Sequence, residues 1–365
     1  MEQAGSASRL PEAARILVTG GAGFIGSAYV REVLARREGT RITVLDKLTY
    51  AGNRANLEAV ERDPEQASRY RFVEGDIADP DLVRPLVAEA DAVVNFAAES
   101  HVDRSILDPE AFLRTGVIGV HVLLEAVRAA SAPRMAAAEK PVRFLQVSTD
   151  EVYGSVADGR SVETDRLDPR SPYSAAKAAG ELLVGSYVVT HDVDAVVTRG
   201  SNTYGPFHHP EKLIPLFVTN AIDDLPLPMY GDGLQQRDWL FVSDHAGAID
   251  HVLHRGATGE TYNVPGSAEM ANRDVIAALL DRLGKPWSLV RSVPDRPGHD
   301  RRYALDGSKL TALGWRNRVS FADGLATTVD WFKGNEPWWR AAKSGDWDAY
   351  YERQYGARLA ASTEA

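Results

Sequence analysis

Two adjacent carboxylates, Asp150 and Glu151, follow the apolar run Val142 to Val147 inside the segment Ser148-Thr149-Asp150-Glu151-Val152-Tyr153-Gly154. Neighbouring side chains at the end of a strand point to opposite sides, so the pair can address two different atoms of one bound molecule. Further on, Tyr173 and Lys177 stand four apart, which on a helix places them on one face. An ammonium beside a phenol favours the phenolate and lowers its pKa. Such a tyrosine can take a proton from a hydroxyl while the carbon that bears it is oxidised. Tyr173, Asp150 and Glu151 together provide for an oxidation and also for an elimination. Alone, an Asp-Glu pair is usually a solvated turn, and Tyr-x-x-x-Lys is common. The surrounding sequence decides.

The run Gly20-Gly21-Ala22-Gly23-Phe24-Ile25-Gly26 reads as Gly-x-x-Gly-x-x-Gly or, from Gly21, as Gly-x-Gly-x-x-Gly. It follows a short apolar stretch, Arg15 to Thr19, and precedes the helical spacing of Ile25, Tyr29, Val33 and Leu34. Asp46 closes the next strand candidate, Arg41 to Leu45. Glycine permits positive φ and close approach to a pyrophosphate, and the helix start offers that anion free N–H groups. Asp46 is suited to bond adenosine ribose hydroxyls and to repel a 2′-phosphate, so the pattern predicts NAD rather than NADP. Lys47 weakens that preference slightly. Asp76-Ile77 either meets the adenine edge or forms an Asx turn into Ala78-Asp79-Pro80. His208-His209 resembles a metal pair without a third ligand, and no metal is expected.

These groups need a scaffold, and the chain alternates strands with helices. Further strands are read at Tyr70 to Val73, Ala92 to Phe96, Val142 to Val147 and Asp194 to Arg199, with helices at Asp108 to Ala129 and Ser174 to Thr190. This order predicts an α/β fold, a Rossmann-type doubly wound parallel sheet. Pro206, Pro210, Pro215, Pro226 and Pro228 exclude regular sheet core and mark a smaller C-terminal α/β substrate-binding domain. The boundaries read as 15–205 with 240–264 returning for the first domain, and 206–239 with 265–335 for the second. Residues 1–14 read as a disordered leader, and residues 336–365 as an aromatic segment and tail, unstructured after Leu359. Core packing is the expected role of Trp338, Trp339, Trp347, Tyr350 and Tyr351. Across 365 residues, 44% are apolar and 25% charged, as in ordinary globular proteins. A net charge of -10 argues against nucleic-acid binding, and no apolar stretch is long enough to span a bilayer. With no cysteine, disulfides, thiolate metal sites and a cysteine nucleophile are excluded, which is compatible with the cytoplasm.

From Arg15 to about Leu359 the chain resembles the extended short-chain dehydrogenase/reductases, and within them the dTDP-glucose 4,6-dehydratases. The motifs are Thr19 to Gly26, Asp46 to Asn53, Ala97 to Ser105, Ser148 to Gly154, Ser171 to Lys177, Glu211 to Pro215, Arg237-Asp238-Trp239 and Arg296 to Asp300. Thr149-Asp150-Glu151 is the most specific of them. The resemblance implies that Tyr173 deprotonates a C4 hydroxyl as C4 is oxidised and that Glu151 removes the C5 hydrogen. Asp150 then donates to the leaving C6 oxygen, hydride returns to C6, and NAD is regenerated. Thr149 bonds the C4 oxygen, and Lys177 orients Tyr173 and the nicotinamide ribose. Around the cofactor it implies Gly20, Gly23, Phe24, Ile25, Gly26, Asp46, Lys47, Leu48, Thr49, Asp76, Ile77, Ala97, Ala98, Ser100, Thr115, Tyr173, Lys177 and Thr203. Nucleotide-sugar contacts would come from Ser100, Thr149, Asp150, Glu151, Asn202, Lys212, Leu213, Pro228, Tyr230, Arg237, Asn272, Arg296 and His299, with the two arginines on the diphosphate. His299 also reads as a plain loop residue. Thr203 stands where the family pattern has asparagine, which puts one contact at the nicotinamide end in doubt.

The other readings are a UDP-sugar 4-epimerase or decarboxylase, a dehydratase of UDP-glucose, and an NAD-binding regulatory protein. Asp150 argues against the epimerase and decarboxylase, and the intact catalytic set against the regulatory protein; thymidine versus uridine stays open. The resemblance further implies a homodimer through a four-helix bundle. The outer faces of its helices are read as Val120, Leu124 and Val127, and as Leu183, Tyr187 and Val188, unless all of these pack on the sheet.

Overall fold

The computed structural model describes residues 9–362 other than Pro297 and Asp346. Seven parallel strands form the central sheet: β1 (Arg15–Thr19), β2 (Arg41–Asp46), β3 (Tyr70–Glu74), β4 (Ala92–Asn95), β5 (Arg143–Thr149), β6 (Ala195–Gly200) and β10 (Thr261–Val264). Their order is β10-β6-β5-β4-β1-β2-β3. The order reverses between β1 and β4, and a crevice opens there at the carboxyl ends of the strands. All seven residues of β5 are buried. Both faces of a parallel strand are covered by helices, so burial does not alternate along it, and even Arg143 and Gln146 are buried beside Phe144, Leu145 and Val147.

On one face, helix α1 (Phe24–Arg36) packs beside the helix Val242–Arg255. On the other lie the helices Pro80–Ala88, Val120–Ala136 and Pro172–His191. The helix read at Asp108 to Ala129 is instead a run of three helical pieces: Pro109–Leu113, a wider turn at Arg114–Gly119, and Val120–Ala136. Ser171 caps the Pro172–His191 helix in a capping box with Ser174, and Pro172 supplies the first-turn φ. That cap sets Tyr173 in the first helical turn.

Five further strands form a three-stranded and a two-stranded sheet, whose orders are β11-β9-β7 and β12-β8. They are built from β7 (Asn202–Tyr204), β8 (Leu227–Tyr230), β9 (Gln236–Phe241), β11 (Ala268–Ala271) and β12 (Val290–Val293). β7 joins this layer although the sequence puts it in the first domain. A separate apolar cluster underlies these sheets, and it includes Trp339, Trp347 and Tyr355. The aromatic segment therefore packs as core.

Three expectations about the periphery are corrected. Residues 1–8 of the leader lie outside the described residues, but Leu10 and Ala14 belong to the main core and the Arg9 N–H donates to the His254 carbonyl. Residues past Leu359 continue a helix, Ala357–Ser362. Val120, Leu124 and Val127 are fully buried against the sheet, and Tyr187 is also buried. Apolar side chains on the outer surface are instead Ile106, Leu107, Leu113, Ile118, Leu182 and Val189. Helical periodicity identifies an apolar stripe but not which of two stripes faces inward.

Candidate active site

Every loop that leaves a carboxyl end of β1 to β6 feeds one crevice. After β1, Gly20 takes φ +67, and a Cβ there would sit 2.6 Å from the Ala97 nitrogen, so the turn and the loop after β4 touch backbone to backbone. A Cβ on Gly26 would strike the Gly20 carbonyl oxygen. α1 thus starts directly against the turn, with no acidic residue in its first turn and no side-chain cap. Its N–H groups and dipole remain for an anion. Asp46, ending β2, accepts from the Ala22 N–H at 2.8 Å and the Leu48 N–H at 2.8 Å. Burial raises its pKa against those bonds.

A cavity of about 320 Å³ runs from this turn to the end of β5. Of the cofactor residues expected from sequence, Gly20, Gly23, Phe24, Ile25, Gly26, Asp46, Lys47, Thr49, Asp76, Ile77, Ala97, Ala98, Ser100, Thr115, Tyr173, Lys177 and Thr203 line it. Leu48 does not: its backbone takes φ 53 and its side chain packs on the core, so only its N–H serves the site. Asp76 makes the Asx turn, accepting from the Ala78 N–H at 2.9 Å, and pairs with Lys47 at 2.9 Å while still facing the cavity. Thr203 contacts the Nδ1 of His245 at 2.8 Å and donates to the Ser201 carbonyl at 3.1 Å. The chemistry of this lining fits a dinucleotide.

At the end of β5 the Thr149 hydroxyl donates to Asp150 Oδ1 at 3.1 Å and accepts from the Glu151 N–H at 3.2 Å. Asp150 Oδ2 is buried with no protein partner. The pKa of Asp150 is raised strongly, first by burial and then by the neighbouring Glu151 charge. Burial also raises Glu151, but Arg296, Lys212 and Arg237 pull it back down. Both carboxyls are therefore raised, Asp150 strongly, while at Glu151 three cations oppose the rise.

Tyr173 lines the same cavity as Thr149, Asp150 and Glu151. Its phenol is raised by burial and by the two carboxylates, not lowered. Lys177 explains this difference from the sequence expectation. Its ammonium donates to the Val147 carbonyl at 2.6 Å, and burial lowers its own pKa to about 8.

A second cavity of about 150 Å³ joins the first. Glu151, Asn202, Lys212 and Leu213 line both. Pro228, Tyr230, Arg237, Asn272, Arg296 and His299 line only the second, and Ser100, Thr149 and Asp150 only the first. Arg237 is 5% exposed, its guanidinium 4.3 Å above the Tyr303 ring and donating to the Asp300 carbonyl at 2.9 Å. Arg296 pairs with Asp103 at 3.1 Å, and its Nε has no protein partner, nor have the buried side-chain oxygens of Asn202 and Asn272. Unpaired buried polar atoms are costly, and these four, Asp150 Oδ2 among them, mark where a polar ligand is received. His299 is not a bare loop residue: its side chain is 7% exposed and meets Asp295 at 2.6 Å.

Several residues at the site carry no signal that spacing alone could read. His208 stacks on Phe24 with ring centroids 4.2 Å apart, closing the cavity over the glycine turn. Glu211 takes the Arg104 guanidinium at 2.8 Å, and Arg104 lies between the rings of Tyr50 and Tyr350. Asp103, Glu211 and Asp300 fall inside recognised motifs, which was the only available hint. Tyr355, near the far end of the chain, lines the second cavity.

The model of the GDP-mannose 4,6 dehydratase family matches residues 17–328. The chain is 51% identical over 337 residues to the dTDP-glucose 4,6-dehydratase of Streptomyces niveus, covering 91% of this chain and 96% of that one. Among solved structures, the dTDP-glucose 4,6-dehydratase DesIV from Streptomyces venezuelae, crystallised with NAD, superposes with a TM-score of 0.85 at 49% identity, over 90% of this chain and 100% of that one. UDP-glucose 4-epimerase from Thermus thermophilus shares the fold at a TM-score of 0.78 with 33% identity, over 88% of this chain and 99% of that one. With Thr149, Asp150, Glu151 and Tyr173 gathered around one cavity at the end of β5, and with this extent of similarity, the chain belongs to the dTDP-glucose 4,6-dehydratase family.

Proposed function

We propose that the protein is an NAD-dependent dTDP-glucose 4,6-dehydratase, a hydro-lyase that converts dTDP-glucose to dTDP-4-keto-6-deoxyglucose and water. The observation that carries this reading is the placement of two carboxyls at the end of β5: Asp150, buried with an unpartnered Oδ2, and Glu151, which shares a cavity with Lys212, Arg237 and Arg296. Epimerisation at C4 needs no such acid. NAD, when bound, supplies a reversible two-electron acceptor. Burial holds the Tyr173 phenol neutral here; the positive charge that a bound NAD would bring offsets that, so that Tyr173 takes the C4 hydroxyl proton and Thr149 then holds the C4 oxygen. The resulting ketone acidifies the C5 hydrogen, which Glu151 removes. Asp150 protonates the C6 oxygen, the C6–O bond breaks, and water leaves. Reduction at C6 and reprotonation at C5 complete a redox-neutral cycle.

Lys177, fixed on the Val147 carbonyl, orients the cofactor end of this arrangement. Arg237 and Arg296 are assigned to the diphosphate, and Tyr230 and Asn272 to the base, in the layer of residues 206–239 and 265–335. Deoxysugar-nucleotide biosynthesis in the cytoplasm suits an enzyme without cysteines. Among the described residues no helix is long and apolar enough to cross a membrane. We assign a homodimer to the outer face of the helices around Arg114–Gly119 and Pro172–His191. Its support is the exposed apolar set, with Leu182 68% and Val189 85% exposed.

The test is to incubate the protein with dTDP-glucose and with UDP-glucose and to follow the alkali-induced chromophore of the 4-keto sugar. Formation from dTDP-glucose without net NADH accumulation supports the reading. Stoichiometric NADH release would identify a plain dehydrogenase.

A further inference from the structure

The family model ends at residue 328, yet the chain continues through the helices Glu336–Ala342, Trp347–Tyr351 and Ala357–Ser362. The turn between the last two and the start of the last helix bring two polar side chains, Gln354 and Arg358, behind the wall of the nucleotide-sugar cavity. The Gln354 amide nitrogen donates to the Tyr230 phenol oxygen at 2.7 Å and to Asp103 Oδ2 at 2.9 Å. The Arg358 guanidinium donates to the same phenol oxygen at 2.9 Å and lies 5.3 Å from the ring centroid. The Tyr230 hydroxyl in turn donates to Asp103 Oδ2 at 3.1 Å. A phenol has one proton and two lone pairs. All are committed: the proton to Asp103, the lone pairs to Gln354 and Arg358.

Asp103 is 4% exposed and spends its other oxygen on Arg296 at 3.1 Å. Gln354 is 8% exposed, so its amide bonds are made at low dielectric, where they are stronger than in water. Tyr230 and Arg296 both line the cavity; Gln354 and Arg358 do not.

We propose that Gln354 and Arg358 are positioning residues of the nucleotide-sugar site, locking the Tyr230 ring and, through Asp103, the Arg296 guanidinium. This rests on the reading of the second cavity as the nucleotide-sugar site. With its hydroxyl saturated, Tyr230 offers a substrate its ring face and not a hydrogen bond. The C-terminal turn thereby sets how tightly the nucleotide is held, without touching the reacting sugar.

The experiment measures dTDP binding by calorimetry, and KM, kcat and the thermal midpoint, for the full-length holoenzyme and for Gln354→Ala, Arg358→Ala and Arg358→Lys. Removing one or two such bonds is expected to raise the dTDP Kd and the dTDP-glucose KM about three- to tenfold, with kcat within about twofold. Arg358→Lys, which keeps a cationic donor, restores much of the affinity. In a Tyr230→Phe background, Arg358→Ala adds no further loss. Unchanged Kd and KM in both alanine variants overturns the inference, as does a fall in thermal midpoint and kcat with KM unmoved, or an Arg358→Ala effect of equal size in the Tyr230→Phe background. Failure of the functional reading would appear separately, as no 4-keto sugar formed by the unaltered protein.

Discussion

Replacing Asp150 by Asn should cost activity and yield stability, and both effects follow from one buried carboxyl. Asp150 is 3% exposed, its Oδ2 has no protein partner, and burial and Glu151 hold its pKa well above 3.8. General-acid assistance to a leaving group is worth about 10²–10⁴ in rate, so loss of water from C6 should slow by that factor. Exchange of the C5 hydrogen with solvent deuterium should persist, because Glu151 and Tyr173 are unchanged. The stability sign runs the other way. In the unfolded chain this aspartate ionises near its ordinary value, whereas in the folded chain it stays protonated to higher pH. The unfolded state therefore binds fewer protons above about pH 4, and folding loses about 1.4 kcal/mol per pH unit at this one site. The loss levels off once pH passes the raised folded value. Asn carries no such term, so Asp150→Asn should gain on the unaltered protein steadily between pH 4 and that value. Urea unfolding at a series of pH values measures the difference. Parallel stability curves, or a variant of unaltered turnover, would refute the assignment of a protonated acid.

Glu151→Gln should abolish both C5 deuterium exchange and elimination; in the unaltered enzyme, activity should fall as pH drops through the raised Glu151 pKa. Arg237→Ala should raise KM more than it lowers kcat, by about 1.5–3 kcal/mol of lost charge-assisted bonding, or roughly ten- to 150-fold, since a diphosphate is equally charged in the ground and transition states. An unaltered KM would remove that arginine from the diphosphate. Light scattering should give twice the 39.8 kDa chain mass, and Leu182→Glu with Val189→Glu should shift it toward the single-chain value. A monomeric unaltered protein at micromolar concentration sinks the dimer.

Much of the crevice was legible because its chemistry lies in short segments. The glycine turn, Asp46, Thr149-Asp150-Glu151 and Tyr173 with Lys177 each combine a residue type with a local spacing that the backbone converts directly into position. What escaped depends on contacts across long stretches of chain. Lys177 satisfies the same-face rule, yet the Val147 carbonyl takes its ammonium. His208 closes over Phe24 only because the loop after β7 returns to the first helix. Leu10 joins the core by pairing its segment with the end of the Val242–Arg255 helix, which nothing local announces. The helices' outer faces were misread for a related reason: Val120 and Leu182 both sit on apolar stripes, and only the sheet decides which is inside.

The aromatic segment that packs as core also reaches back to the first domain, with a consequence for the order of assembly. Trp338 Nε1 donates to Asn56 Oδ1 at 3.0 Å across 282 residues of sequence, and the Asn56 amide passes on to the Ala22 carbonyl at 2.9 Å. Closing so long a loop costs chain entropy that must be met before the contact stabilises anything, so it forms late. During synthesis the N-terminal part folds first. All seven strands of the central sheet, β1 to β6 and β10, have left the ribosome before Trp338, Gln354 and Arg358 are made. A nascent chain can therefore complete the dinucleotide crevice before the residues that steady Tyr230 and Arg296 are in place, and its grip on the nucleotide sugar tightens last.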